Sequence, residues 1–501
     1  MNARRTGLVV ALVAGAVYLG SLANHFAMDD LYIVAWNPLV HSLAGVWRAF
    51  AAPYWPPALG GQLYRPLTIA TYALDGGIAS AAWFHFVNLC WHAAASVMVA
   101  VLGRRLAGDR AGVVAGLLFA VHPVHVEAVA NIVGRAELMA ALFSLLALYA
   151  ALAWENVAWS AVALALGILS KENAAVVPGL IVWAWVAGVG RPSRRRMIAF
   201  GASWVVLGVV YAVLRWEVLH PYARLEGIAP VFVGASPVAV RLTAVAAFAD
   251  FARLLIFPLT LRADYSPRER TLVTSIADPR LLAGLACLAV LVALVVWAWR
   301  GERRVEVLGL GWIAIALLPV ANLVFPSGVL VAERTLYLPS AGLALAAGSF
   351  VAWRWPARTP VLVWAICLAA AARTALRVPV WRDDTSVTAS ILDDSPASYR
   401  GPMRTAALLL GSGHAARALE VYKTAAQTFD QDPGLYVGAA DAAFTVGRAP
   451  LADSLLARAD ALCRSCAGNY ETQAAAARAR GDPAVADSLL AHVQRFRGGA
   501  K

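Results

Sequence analysis

Long apolar runs broken by short polar punctuation dominate residues 1–374, and a different, finer pattern takes over after them. Runs of about 20 mostly apolar residues are long enough to cross a bilayer as helices. They place spans at 7–23, 84–103, 111–131, 136–154, 157–171, 174–190, 198–215, 281–299, 307–324, 336–353 and 360–374. The first run follows Arg4 and Arg5 as a signal peptide would, but an acidic pair rather than a small-residue cleavage site comes after it, so it reads as a retained span. Residues 240–262 form a twelfth apolar run with Asp250 and Arg253 in its middle, which suits a re-entrant or interfacial helix better than a crossing. The pattern predicts an all-α chain: a polytopic bundle of about eleven spans in 1–374, a linker at 375–398 and a small helical solenoid at 399–499.

The solenoid is predicted from an internal period. Gly413, Gly447 and Gly481 recur at 34 residues, in step with Ala406, Ala440 and Ala474, with Ala418, Ala452 and Ala486, and with the bulkier Tyr422, Leu456 and Leu490. A 34-residue period with small residues at helix crossings is that of tetratricopeptide repeats, which stack helix pairs and hold peptide segments.

Charge orients the bundle. The arginine clusters "GRRLAGDR" (103–110), "GRPSRRR" (190–196), "RGERR" (300–304) and "WRWPAR" (353–358), with Arg4 and Arg5, are expected in the cytoplasm by the positive-inside rule. The first loop (24–83), the 131–136 turn, "LSKEN" (169–173), 216–280, 325–340 and the repeat tail then lie outside, as in the periplasm of a bacterium. Residues 1–374 carry a net charge of +11 and 375–501 only +1, so the basic excess belongs to the membrane half and the tail has no footprint for nucleic acid. Of five cysteines, Cys90, Cys287 and Cys367 fall in apolar runs as packing residues, and Cys463 and Cys466 form a CxxC that an oxidising compartment would close.

Candidate chemistry stands out against the apolar background, because an ionisable group in a span is costly and usually has a task. Lone residues such as Asp75 and Glu155 read as helix-end or pairing groups. The stretch "HPVHVEAVANIVGRAELM" (122–139) is a cluster: His122, His125, Glu127, Arg135 and Glu137. One reading is a metal site, with three ligand types in HxxHxE. The other is a polar wall around an anionic, hydroxyl-rich ligand, with Arg135, Lys171 and Arg334 converging on a phosphate and Arg65 of "YRPLT" beside them. Asp29 and Asp30 follow the first span at the membrane edge, where adjacent carboxylates repel, so that one holds its proton more tightly or a divalent cation joins them.

The order of these motifs resembles a known family. An acidic pair after the first span, "YRPLT", "FHFVNLCWHA" (84–93), "HPVHVEAV", "GRAEL", "LSKE", "AERTLYLPS" and then the repeats are similar to the transmembrane and tetratricopeptide repeat-containing O-mannosyltransferases of the C-type glycosyltransferase superfamily. The resemblance implies transfer of a sugar, mannose in that family, from a polyprenyl-phosphate donor to a Ser/Thr hydroxyl of an exported protein, with inversion and no required cofactor. The leaving phosphate would rest on Arg135, Lys171 and Arg334, and Asp29 or Asp30 would be the general base. Tyr64, Arg65, His85, His122, His125, Glu127, Glu137, Glu172, Glu333 and Tyr337 would line the donor and acceptor sites. A transporter of lipid-linked sugar and a non-catalytic scaffold displaying the repeats are the alternative classes.

Overall fold

The computed structural model describes residues 3–57, 61–78, 80–222, 228–462 and 467–498; the CxxC cysteines Cys463 and Cys466 lie outside them. The described secondary structure is helical throughout. Helix α1 (Ala3–Val17) leads into an irregular first loop holding α2 (Gly45–Arg48) and α3 (Pro66–Asp75). Then come α4 (Ala81–Ala120), α5 (Val126–Ala130), α6 (Arg135–Ala153), α7 (Val157–Ser170), α8 (Val177–Val186), α9 (Arg194–Leu219) and α10 (Pro237–Ile256). The membrane half ends with α11 (Pro279–Arg300), α12 (Arg304–Leu317), α13 (Tyr337–Arg354) and α14 (Val361–Arg377).

Helix starts follow local chemistry. Ser80, Asn156, Ser193, Ser236 and Asp278 each cap the helix that follows by accepting a backbone N–H two or three residues on, and Pro237 and Pro279 occupy first-turn positions where no N–H is needed. Among the described residues, six helical segments are long and apolar enough to cross a membrane: Ala81–Ala120, Ile132–Ala153, Arg194–Leu219, Pro279–Arg300, Glu333–Arg354 and Val361–Trp381. The chain is a multi-pass membrane protein. Val205, Val206, Val209, Val210 and Val213 on α9, and Leu282, Leu285, Val290 and Val292 on α11, lie uncovered by protein, an arrangement that only lipid makes inexpensive.

Two expected spans prove to be a hairpin within α4. Gly108 adopts φ 87° and ψ 173°, and the chain doubles back there. A Cβ on Gly103 would stand 3.2 Å from the Cα of Gly112, and one on Gly116 would stand 2.6 Å from the Cβ of Ala100. In one straight helix at 1.5 Å per residue, residues 100 and 116 would be roughly 24 Å apart. The two arms pack against α1 and α13.

The expected span 111–131 does not survive as one helix. It stops at Ala120, because Pro123 drives His122 into an extended conformation (φ −68°, ψ 122°) and a 3-10 turn, Pro123–His125, follows. Short α5 and a second turn, Ile132–Gly134, complete a broken segment that is almost wholly buried. Broken backbone is tolerated at membrane depth where protein surrounds it.

Residues 375–398 are more than a linker. Helix α15 (Asp384–Asp394) buries Val387 and Ile391 in the same core as Val378 and Trp381 and the central membrane helices. Beyond it, α16 (Arg400–Gly411) and α17 (Ala415–Thr428), α18 (Pro433–Thr445) and α19 (Ala449–Leu462), and α20 (Ala467–Ala479) and α21 (Pro483–Gly498) form three stacked helix pairs. Gly413, Gly447 and Gly481 have φ of 83°, 75° and 87°, each ending the first helix of its pair. The residue after each glycine closes the same 6→1 bond, His414 N–H to Leu409 O (2.8 Å), Arg448 to Ala443 (2.8 Å) and Asp482 to Ala477 (3.0 Å). The phased alanines 406, 440, 474, 418, 452 and 486 are all buried, where a larger side chain would push the helices apart.

Candidate active site

Adjacent Asp29 and Asp30 have separate fates. Asp30 is fully buried; its carboxylate accepts N–H from Ala27 (3.2 Å), Ile132 (3.4 Å) and Val133 (2.8 Å), tying the first loop to the broken segment. Burial pushes its carboxyl up to about 8, against the pull of these amides. Asp29, one residue earlier, is exposed. Desolvation raises its carboxyl above the ordinary value of 3.8, while Arg334, Arg404 and Arg400, in that order, pull it down and Glu127 pushes it up.

Around Asp29 the structure assembles a chain of opposite charges. Arg334 binds Glu127 through its side chain and through its backbone N–H (2.9 Å), and lies in the fields of Asp29 and Glu137. Lys171 pairs with Glu137 and feels Arg65 and Arg334. Arg65 grips Glu172 with two donors, at 2.9 and 2.6 Å, and its guanidinium sits 5.0 Å above the ring of Tyr54. Thus Asp29, Arg65, Glu127, Glu137, Lys171, Glu172 and Arg334 come together, from the first loop, the broken segment, the starts of α6 and α8 and the approach to α13. Their accessibility differs: the side chain of Arg334 is 39 % exposed, against 12 % for Arg65 and 10 % for Lys171, so Arg334 is the cation most open to a ligand.

Arg135 does not join them, which corrects the expectation of three converging cations. It is completely buried, pairs with Asp75, donates to Asn88 Oδ1 (2.9 Å) and Phe84 O (3.1 Å), and stacks 4.5 Å from the Tyr72 ring centroid. Every face of the guanidinium is spoken for, so it locks α3, α4 and α6 together. Asp75 is its partner, in line with the pairing expected of it.

The histidines are also framework. His122 points its Nε2 at Leu255 O (2.9 Å), His125 its Nε2 at Ser340 Oγ (2.7 Å), and Glu127 faces Arg334. The His122 and His125 ring centroids are 5.4 Å apart, yet the three side chains serve separate partners, and among the described residues no three His, Cys, Asp or Glu side chains gather as metal ligands. His85 Nε2 meets His25 O (3.3 Å), Tyr337 Oη meets His92 Nδ1 (2.8 Å), and Tyr64 donates to Phe50 O (2.9 Å). Glu333 accepts from the Arg262 N–H (2.5 Å) and Tyr265 Oη (2.9 Å), away from its neighbour Arg334.

Two residues near Asp29 escaped the sequence reading, Arg400 and Arg404. Both belong to α16, in the tail that the 34-residue period marks as a solenoid. Their four-residue spacing, one helix face, was the available signal.

Relatives agree with the motifs. Residues 74–216 match the family model described as dolichyl-phosphate-mannose-protein mannosyltransferase. The human protein O-mannosyl-transferase TMTC4 is 29 % identical over 489 residues, covering 83 % of this chain and 65 % of the relative. The mouse protein O-mannosyl-transferase TMTC3 is 28 % identical, covering 69 % and 42 %, and the Caenorhabditis elegans protein O-mannosyl-transferase F38B6.6 is 30 % identical, covering 68 % and 50 %. The chain spans between 42 % and 65 % of the length of these relatives. Among solved structures, ArnT from Cupriavidus metallidurans bound to undecaprenyl phosphate aligns over 98 % of this chain and 77 % of its own, at 15 % identity and a TM-score of 0.41, a distant similarity. Motif order and sequence relatives coincide: over most of its length the chain is similar to the transmembrane and tetratricopeptide repeat-containing O-mannosyltransferases.

Proposed function

We propose that the protein is an inverting glycosyltransferase that moves mannose from a polyprenyl-phosphate donor to a Ser/Thr hydroxyl of an exported protein, with Asp29 as general base. The observation that carries this reading is the division of labour in the acidic pair. Asp30 is spent on three backbone amides, whereas Asp29 keeps an accessible carboxylate facing Arg334. A base and a cation near one another at the reacting sugar are what the chemistry needs. The acceptor hydroxyl gives its proton to Asp29 as its oxygen bonds the sugar C1; the bond from C1 to the phosphate oxygen breaks, and the electron pair leaves on the polyprenyl phosphate. That leaving group is already an anion, so fixed positive charge serves it better than a proton donor. Arg334 is the foremost candidate and Lys171 supports it electrostatically. Inversion follows from a single displacement.

The remaining assignments go with this reading. Eleven crossings, with α10 as an outer-side helix, put the site and tail on the exported side of a bacterial inner membrane, where a lipid-borne donor enters sideways. The helix pairs of the tail serve as tetratricopeptide repeats that hold the acceptor segment. No metal is required: with Asp30 committed to backbone, only Asp29 of the pair has oxygens to offer.

The test is transfer of radiolabelled mannose from polyprenyl-phosphate mannose to a Ser/Thr-rich peptide by the purified full chain. Asp29→Asn should lower the rate by about 10²–10⁴ while donor binding persists. Donor translocation without transfer would mark a transporter, and near-normal transfer by Asp29→Asn would remove Asp29 from the chemistry.

A further inference from the structure

One carboxylate ties the tail to the loop that carries Asp29. Asp384, in the first turn of α15, accepts the Met28 N–H at 2.7 Å and the Arg404 Nη2 at 2.9 Å, both on Oδ1. Met28 immediately precedes Asp29 and has φ 59°, in the left-handed region that a residue bearing a Cβ seldom enters. Such a conformation persists where its surroundings hold it, and it gathers at functional positions. Here the holders are visible. The Met28 N–H is engaged by Asp384, Ala27 on its other side donates to Asp30, and His25 N–H reaches Arg382 O at 2.7 Å, just before α15. The Arg404 Nε is buried and has no hydrogen-bond partner among the described residues, so the guanidinium is held through its Asp384 contact alone. Tyr32, one turn past Asp29, lies in the fields of Arg404, Asp384 and Asp29 and also of Arg480 at the far end of α20, so the tail faces this loop along several helices.

We propose that the first helical repeat positions the Asp29 carboxylate through the connected set Arg404, Asp384 and Met28, which makes the tail a working part of the site rather than an appended module. This rests on Asp29 being the base. Arg404 and Asp384 are positioning residues. Asp384 holds the Met28 amide and with it the backbone that presents Asp29, and Arg404 fixes Asp384 from the repeat side. The charged groups facing Asp29 include Arg334, Arg404 and Arg400, which favour its ionised form, and Glu127, which opposes it; the titratable Asp30, Tyr32 and Tyr54 also lie in its field. A segment bound on the repeats and the base that activates its hydroxyl are therefore joined by two hydrogen bonds.

Two measurements on the full chain decide the matter, with Asp384→Asn, Arg404→Gln and Arg404→Lys as variants. Lys423→Ala, which removes an exposed ion pair with Glu420 on α17, is the control. Amide hydrogen exchange over residues 27–33 should quicken about 10-fold in Asp384→Asn and Arg404→Gln, with the protection of α16 to α19 retained, and stay unchanged in the control. Exchange in 27–33 indistinguishable from wild type would overturn the proposal. In the mannose-transfer assay, kcat should fall about 10-fold in Arg404→Gln with KM for the donor little changed, and the acid limb of the rate profile should move to higher pH because a cation facing Asp29 is gone. Arg404→Lys should return the limb towards its original position, an effect a merely structural role would not produce. Absence of transfer by the wild-type protein would defeat the mannosyltransferase reading and leave the exchange measurement to judge the connection by itself.

Discussion

Asp29 and Asp30 share a sequence neighbourhood and differ in what surrounds each oxygen. Because burial raises the Asp29 carboxyl and a base works only when ionised, transfer should be lost as pH falls through a value above the ordinary 3.8; a profile flat from pH 7 down to 4 would remove Asp29 from the role. Asp30→Asn, in contrast, trades a two-oxygen acceptor for one oxygen and an amide that cannot accept, so its loss should appear as lowered thermal stability before lowered chemistry. The cations divide in the same way. Arg135→Leu leaves Asp75 as an uncompensated buried charge and should destabilise the fold by about 3–5 kcal/mol. Arg334→Gln keeps the backbone N–H and an amide donor for the buried Glu127, so it should weaken donor use far more than it lowers the unfolding temperature. Thermal unfolding in detergent alongside donor titration separates them; equal stability losses would return Arg334 to a structural role.

Helix pairs in the tail depend on a small set of backbone positions. Each phased glycine sits at φ between 75° and 87°, where a Cβ crowds the following carbonyl. Gly447→Ala meets no side-chain obstacle, since nothing lies within 4 Å of the added Cβ, so the cost is backbone strain alone. It should destabilise the tail by about 1 kcal/mol. Gly438→Ala would instead drive a Cβ to 2.5 Å from the Tyr422 hydroxyl and should cost more, with the helix pairs α16–α17 and α18–α19 losing protection together. Chemical denaturation followed by hydrogen exchange would rank the two, and a larger loss for Gly447→Ala would contradict this order. In the membrane half, the broken segment between α4 and α6 is the comparable element: Pro123 ends the helix, and the backbone groups released there are covered by packed protein.

The arrangement of the full chain turns on sidedness. The arginine clusters lie on the opposite side from Asp29, Arg334 and the tail if the positive-inside rule holds throughout. Reporter domains joined after Arg400 should be active only in the exported compartment, and one joined in 190–196 only in the cytoplasm. Cytoplasmic activity of the first fusion would invert the topology and carry the site to the other face. The uncovered apolar faces of α9 and α11 add a second expectation, that lipid-soluble carbene labels mark these helices heavily and α6, which is buried, lightly.

Much of this protein was legible in its sequence because certain constraints are local. Bilayer thickness acts on consecutive residues, so the apolar runs and most of the helices they form could be read directly. The 34-residue phase of glycine and alanine is local too: a left-handed helix end and a tight helix crossing each admit few residue types, and the described positions Gly413, Gly447 and Gly481 carry the same bond pattern. Pro123 is the local signal that the 111–131 run cannot stay one helix. What the tertiary structure alone decided was which charges are partners and which remain available. Arg135 and Arg334 look alike in sequence, both inside polar motifs flanked by apolar helices. Only the fold closes Asp75, Asn88, Phe84 and Tyr72 around the first and leaves the second partly exposed, within the field of Asp29. The same holds for Arg404, separated from Asp29 by 375 residues of chain and brought to it by Asp384. Pairing across such distances depends on the packing of helices in three dimensions, and no local pattern of residues encodes it.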